Sequence, residues 1–299
     1  MDSTTGGRLY IVIPVLNRWE QTRTCLTRLM EGTCTEFTII VVDHGSTDGT
    51  RIGLETGFPN VIRIPGSADL WWTGATNLGI KAALERGADN IMLLNNDCYF
   101  QPDTLERIVS HMRDNPGTII APVQRNLRSR RITTRPMTSC FLLGFPILQL
   151  PGRHVYSKDI HHLKEVNIIV GGRGVVIPAS VFRETGLLNE GDLPHYGSDL
   201  DFYLRSRKHG IRLCIAQDAI VDVDEATTTL SSRIGRMTLS SFLDTLKNRR
   251  SHRNIPELTA LFRLHYPIPG LYPLGVSLNL LRYALLYAAA RLLRAGRPG

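Results

Sequence analysis

No two of the five cysteines, Cys25, Cys34, Cys98, Cys140 and Cys214, form a CxxC pair, and their number is odd. That scatter argues against a disulfide framework and against a zinc site, and it points to a reducing compartment. Neither a G-x-G-x-x-G fingerprint nor a P-loop is present, so dehydrogenase and NTPase readings fall away. Aromatic residues are scarce, at 7%, and no RNA-recognition or zinc-finger signature occurs, so nucleic acid is not an expected partner. Met1 to Gly7 lacks the basic-then-apolar pattern of a signal peptide and reads as a disordered lead-in. There is no internal repeat. What the chain does have is 299 residues with 42% hydrophobic content, enough for a sizeable core. A net charge of +8 and a pI near 9.5 favour an anionic partner, either a phosphorylated substrate or anionic lipid.

Ile91-Met92-Leu93-Leu94 is a run of four large apolar residues, the pattern of a strand buried on both faces, and it ends abruptly in Asn95-Asn96-Asp97. Ligands of open α/β sheets collect beyond the carboxyl ends of strands. A cluster of hard oxygens at that place suits Mg or Mn holding a phosphorylated substrate. Upstream, Leu9–Pro14 reads as a buried strand ended by proline, Trp19–Met30 as a helix, and Phe37–Val42 as a second strand leading into Asp43. Strand, helix, strand implies a right-handed parallel crossover. Val61–Ile64 reads as a third strand, and Asn77–Arg86 as a helix stopped by Gly87. The expected fold class is α/β, a Rossmann-like, mostly parallel sheet flanked by helices, with a helical C-terminal extension.

Residues Arg125 to Glu165 change character: a run of arginines precedes the apolar stretch Cys140–Leu148. A long irregular excursion is expected there, either a solvated basic loop or one facing acceptor or lipid. Strand character resumes toward Pro178, a helical turn covers Ala179–Thr185, Asp199–Lys208 reads as a helix and Arg212–Ala216 as a strand. The expected domains are 8–232, divided into two halves (8–100 and 101–232), and a basic, apolar helical region over 233–299. Leu271–Ala290 is almost wholly apolar; as a helix of about 20 residues it would be about 30 Å long. Arg282 and Pro273 argue for a helix lying on a membrane face rather than spanning it, with a buried or homo-oligomer-forming helix as the alternative. The arginines that follow it favour the cytoplasmic side of the cell membrane.

In order along the chain stand Pro14-Val15-Leu16-Asn17-Arg18, Val42-Asp43-His44-Gly45-Ser46-Thr47-Asp48-Gly49-Thr50, Trp71–Ile80, Leu94–Asp97, Gly171-Gly172, and Tyr196-Gly197-Ser198-Asp199-Leu200-Asp201-Phe202. This ordered set, over about residues 8 to 225, resembles the inverting family 2 glycosyltransferases of GT-A fold, and within them the bacterial rhamnosyltransferase-like branch that builds surface polysaccharides. The resemblance implies a hexosyl transfer from a UDP- or dTDP-sugar to a hydroxyl of a glycan or lipid-linked glycan, with 8–100 as the nucleotide-sugar-binding half and 101–232 as the acceptor half. It assigns Asp43 to the imide N–H of the base, Pro14 and Val15 to the nucleoside wall, and Asn17, Gly74, Asn77, Asn95 and Asn96 to the donor site. Asp97 takes the place of the family's metal ligand on the donor diphosphate, for Mg or Mn. Asp199 takes that of the general base, although the preceding residue, commonly acidic in the family, is Ser198. Gly171 and Gly172 imply a backbone passing close to sugar or acceptor, Trp71 and Trp72 flank the sugar or pack in the core, and His195 faces the acceptor. The family's histidine beyond the next strand is missing, and Asp222 or Asp224 is the carboxylate that could replace it. A nucleotidyltransferase would need a glycine-rich phosphate loop after the first strand, which Pro14–Asn17 does not supply. A non-catalytic, membrane-associated scaffold on a degenerate transferase fold is the competing reading, kept open by Asn95, Ser198 and the missing histidine.

Overall fold

A computed structural model describes residues 7–151, 162–224 and 237–295. The lead-in expected at the N-terminus therefore lies, apart from Gly7, outside the described residues. The first half alternates as expected: β1 (Leu9–Val15), α1 (Trp19–Met30), β2 (Thr38–Asp43), α2 (Thr50–Gly57), β3 (Ile62–Pro65), α3 (Trp71–Glu85) and β4 (Asn90–Leu94). Then follow β5 (Cys98–Phe100), α4 (Thr104–Asp114), β6 (Ile119–Asn126), β7 (Met137–Cys140), β8 (Phe145–Gln149), β9 (Leu163–Glu165), β10 (Arg173–Pro178), α5 (Ala179–Thr185), α6 (Ser198–Lys208) and β11 (Leu213–Val223). Three helices close the described chain: α7 (Leu239–Lys247), α8 (Ile255–His265) and α9 (Tyr272–Ala295).

The main sheet runs β3-β2-β1-β4-β10-β6-β11-β5, with β9 also on β11. β1 to β4 pair in parallel, β10 runs antiparallel between β4 and β6, and β11 is parallel to β6. The reason for the apolar runs is visible in β4. Ile91 and Leu93 face one core layer, with Ala75, Ile80 and Phe202, while Met92 and Leu94 face the other, with Leu26, Leu105 and Ile108. A strand covered on both sides has no polar face to alternate with. Glycine sets the helix–sheet distance at one point: a Cβ on Gly79 of α3 would stand 2.3 Å from Val12 Cγ1.

Several expectations are corrected. The helix expected from Asn77 begins at Trp71, so the whole Trp71–Ile80 motif lies in its N-terminal part. Pro14 does not end β1; it pairs in register with Val42, one residue before the strand ends. The stretch Arg125–Glu165 is not one irregular excursion, since it carries the β7–β8 hairpin and β9, with 152–161 outside the described residues. The helical tail packs on the second half of the main domain: Leu258, Leu261 and Phe262 of α8 share a core with Leu193 and Leu200.

Candidate active site

Three acidic stations make up the site: Asp43 at the carboxyl end of β2, Asp97 beyond that of β4, and Asp199 at the start of α6. Asp43 closes β2 opposite Val15 of β1 and is 3% exposed. Its Oδ1 accepts the Ser46 N–H at 3.0 Å, and its Oδ2 accepts Nε and Nη2 of Arg63 at 3.1 and 3.0 Å. Arg63, on β3, is a neighbour that sequence reasoning missed, because it lies 20 positions away on a separate strand. A carboxylate offers about four lone-pair sites, so Asp43 retains acceptor capacity for a base N–H. Pro14 and Val15 are buried as strand residues, and Val15 O accepts His44 N–H at 3.0 Å. Asn17, at φ 61°, braces the loop after β2: its Oδ1 accepts Thr47 N–H at 2.8 Å and its own N–H donates to Ser46 Oγ at 2.7 Å.

At the second station the two asparagines are structural. Asn95 Oδ1 accepts the Trp72 indole N–H at 3.0 Å, and Asn95 N–H donates to Gly172 O at 2.7 Å. Asn96 donates its side-chain amide to Thr22 Oγ1 at 3.0 Å. Trp72 is thereby fixed against the core, and a Cβ on Gly172 would meet its ring at 3.0 Å. Asp97 differs from both. Burial raises its carboxyl above the ordinary range, Arg173, the Cys98 thiol and Arg18 counter that only partly, and no basic side chain reaches it at ion-pair distance among the described residues.

Asp97 O also accepts Asp224 N–H at 2.9 Å, which brings a second carboxylate residue to the same strand end. Asp222 does not serve there: Arg125 holds Oδ1 at 2.6 Å, while Arg125, Arg130 and Gln101 crowd Oδ2 at 2.9, 3.0 and 2.6 Å. Of the two candidate substitutes for the missing histidine, only Asp224 stands beside Asp97. No group of three metal-ligating acid, histidine or cysteine side chains converges among the described residues. A desolvated carboxylate without a cationic partner nevertheless fits a hard divalent cation that a diphosphate would help to hold.

The third station faces the second across Gly171-Gly172. Gly171, at φ +80°, donates its N–H to Asp199 Oδ2 at 2.5 Å and accepts the Tyr203 hydroxyl at 3.2 Å. The next residue, Gly172, bonds Asn95. One glycine pair thus ties the start of α6 to the end of β4. Burial raises the Asp199 carboxyl; the backbone N–H groups of Gly171, Leu200 and Asp199, then Arg173, pull it back in part. Arg173 opens β10 opposite Leu94, donates to Gln124 Oε1 at 2.7 Å, and exerts its field on both Asp97 and Asp199. Sequence reasoning missed it as well, although it directly follows the Gly-Gly pair. Ser198, where an acid is common, is fully buried, and its hydroxyl shares a 2.8 Å hydrogen bond with Thr73.

The Trp71–Ile80 motif supports this loop more than it lines a cleft. Thr73 holds Leu193 O and Pro194 O. Asn77, 1% exposed, gives both amide hydrogens to Leu188 O and Glu190 Oε2 and accepts Leu188 N–H, so its polar groups are engaged by protein. Gly74 makes room for Leu70 and Glu190. Trp71 lies edge-on to His195 at 5.6 Å, with Arg249 over its ring at 5.1 Å. His195 is held neutral: burial, then Arg250, His44 and Arg249, lower its pKa to about 4. Helix α8 completes the frame. Glu257 Oε2 accepts the His195 and Tyr196 N–H groups at 3.2 and 2.6 Å, while Arg249 Nε stands 3.4 Å from Oε1. Asp201, two residues beyond Asp199, is committed within the fold: it binds His265 at 2.9 Å and Arg205 at 2.9 Å.

Set beside known proteins, residues 10–170 match the sequence model of the family described as Glycosyl transferase family 2. The uncharacterized protein Rv1525 of Mycobacterium tuberculosis is 27% identical over 220 residues, 72% of this chain and 73% of that one. Among solved structures, S. aureus TarS 1-349 in complex with UDP-GlcNAc aligns with a TM-score of 0.55 at 13% identity, over 95% of this chain and 79% of that one. The mannosyltransferase PcManGT of Pyrobaculum calidifontis, with GDP-Man and Mn2+, gives 0.55 at 14% identity over 99% and 83%. GalNAc-T7 with UDP, GalNAc and Mn2+ gives 0.64 at 13% identity over 95% of this chain and 51% of that one. The shared architecture is GT-A-like.

Proposed function

Because the chain belongs to glycosyl transferase family 2 and is a glycosyltransferase, we propose that it moves a single sugar from a UDP- or dTDP-sugar to a hydroxyl of a glycan or lipid-linked glycan, with inversion. The observation that carries this reading is the Asp199 carboxylate. It is desolvated, oriented by the Gly171 N–H, and joined through Gly172 and Asn95 to the strand end that bears Asp97. The acceptor oxygen attacks the anomeric carbon while its proton passes to Asp199, and the bond from that carbon to the diphosphate oxygen breaks on the opposite face. One base and one displacement invert the centre. A raised carboxyl pKa strengthens Asp199 as a base at neutral pH.

Asp43 accepts the imide N–H of uracil or thymine with the capacity that Arg63 and Ser46 leave it. Arg173 lends positive charge to the diphosphate between the two acidic stations. Asp97, with Asp224 and the donor's own oxygens, would hold Mg or Mn, which supplies charge neutralisation on the departing nucleotide. Asn77 and Asn95 act by bracing rather than by touching the donor. The resemblance to rhamnosyltransferase-like enzymes puts a deoxyhexose first among donor sugars and surface polysaccharide first among products. The acceptor side lies at the inner face of the cell membrane.

Thermal unfolding of the purified chain with UDP, dTDP and GDP, each with and without Mn, tests the reading. A ligand at 100 times its Kd stabilises the fold by about 2.7 kcal/mol. The expected result is a shift with UDP or dTDP that grows with Mn. A response to GDP alone would overturn the assignment of the base, and no response to any diphosphate would overturn the donor site.

A further inference from the structure

Helix α9 has one side fixed to the protein and one side bare. On the inner side, Gly275 lets the helix close on Phe262 and Tyr266, Asn279 donates to Gly144 O at 2.7 Å, and Arg282 lies over the Phe145 ring at 4.3 Å. Tyr287 stacks on Phe242 of α7 at 4.6 Å. On the outer side stand Leu271, Leu274, Leu278, Leu281, Leu285 and Leu292, all between 36% and 74% exposed. Arg282 is the one charged residue from 271 to 290, and it is turned inward. Two of the elements that α9 touches extend the same character. The β7–β8 hairpin, uncharged from 137 to 150, exposes Leu142, Leu143, Ile147 and Leu150, and α7 exposes Leu239 and Leu243. Monomeric proteins rarely leave so many contiguous large apolar side chains in water.

The surrounding charge selects what covers this face. Arg128, Arg131 and Arg135 precede the hairpin, Lys247 ends α7, Arg250 follows it, and Arg291 ends the bare stretch, all exposed. Asp244 is the lone exposed acid between 237 and 295. A second copy docking through the leucine stripe would need opposite charges beside it. The stretch 272–295 holds no acidic residue, and Arg291 is the exposed charge toward its end, so two copies offer that arginine no opposite charge to meet. By length and composition Tyr272–Leu293 could cross a bilayer, but its inner side is already held by α7, α8 and the hairpin.

We propose that α9, the β7–β8 hairpin and α7 form one face that docks in the plane of an anionic lipid surface. Its leucines enter the acyl boundary and its arginines meet the headgroups. This deepens the proposed membrane-side acceptor, since the hairpin belongs to the acceptor half. The test is flotation of the full chain with vesicles of phosphatidylcholine alone or mixed with phosphatidylglycerol, alongside the L281E/L285E and L142E/L143E variants. The expected result is binding to the mixed vesicles, weakened by salt, and reduced at least about tenfold in each variant. Retained UDP-dependent thermal shifts in the variants show that fold and donor site are intact, so a failure of docking is separable from a failure of the transferase reading. Equal binding to neutral vesicles, no binding to either, or variants that bind like the wild type would overturn the proposal. A lipid-free dimer that L281E/L285E dissociates would overturn it in favour of self-association.

Discussion

Replacing Asp199 by Asn separates chemistry from binding. The amide keeps the shape of the carboxylate, and its oxygen can still accept the Gly171 N–H now held by Oδ2. What is lost is the ability to take a proton. Positioned general bases contribute about 10²–10⁴-fold, so the barrier should rise by about 3–5 kcal/mol at about 1.4 kcal/mol per decade. Donor affinity should stay the same. Stability should move the other way. The folded carboxyl is raised by burial, so the native state binds its proton more tightly than the unfolded chain does. Stability is therefore lost as pH climbs from the unfolded value through the raised folded value, and the neutral amide removes that loss. The expected signature is near-absent nucleotide release in a coupled assay, an unchanged UDP thermal shift, and a melting temperature above wild type at neutral pH. In the wild type, kcat/KM should rise with pH through a pKa above the ordinary aspartate range. An Asp199→Asn enzyme transferring sugar within about threefold of wild type would refute the assignment of the base, since even a weak general base is worth about 10²-fold.

Asp222→Ala removes the buried carboxylate that Arg125, Arg130 and Gln101 share, and breaking such a pair costs about 3–5 kcal/mol. Urea unfolding should show that loss while the Mn dependence of UDP binding stays unchanged; a weakened Mn response would return Asp222 to the metal. Glu257→Ala leaves the His195 and Tyr196 N–H groups without their acceptor at about 1–3 kcal/mol each. The 195–201 loop should loosen, with kcat falling more than UDP affinity, and equal losses in both would contradict the bracing role.

The alternation of strands and helices through β4 was legible because it is a matter of burial. A strand covered on both faces, such as Ile91–Leu94, must be apolar throughout, and a helix such as Trp19–Met30 must carry its apolar residues at helical spacing. The acidic stations were legible for a related reason, since polar residues that directly follow a buried strand mark its exposed end. Less was visible where structure depends on distant partners. The hairpin at 137–149 hid inside an uncharged stretch because its turn chemistry is a three-residue 3-10 turn closed by Gly144 rather than a short Asn-Gly signal.

The residues alone therefore determined the layered α/β architecture, the order of the stations, and the placement of Asp43, Asp97 and Asp199 at strand ends or at a helix start. Tertiary structure decided how each polar group is used. Asn77 is committed to Leu188 and Glu190, 111 and 113 positions away, and Asn95 to Trp72. Asp222 is committed to Arg125, 97 positions away, while Asp97 meets no basic side chain at ion-pair distance among the described residues. Local pattern reports whether a side chain is buried, because burial repeats with the period of the element that carries it. Which donor meets which acceptor has no period, and only the folded chain brings those partners within hydrogen-bonding distance.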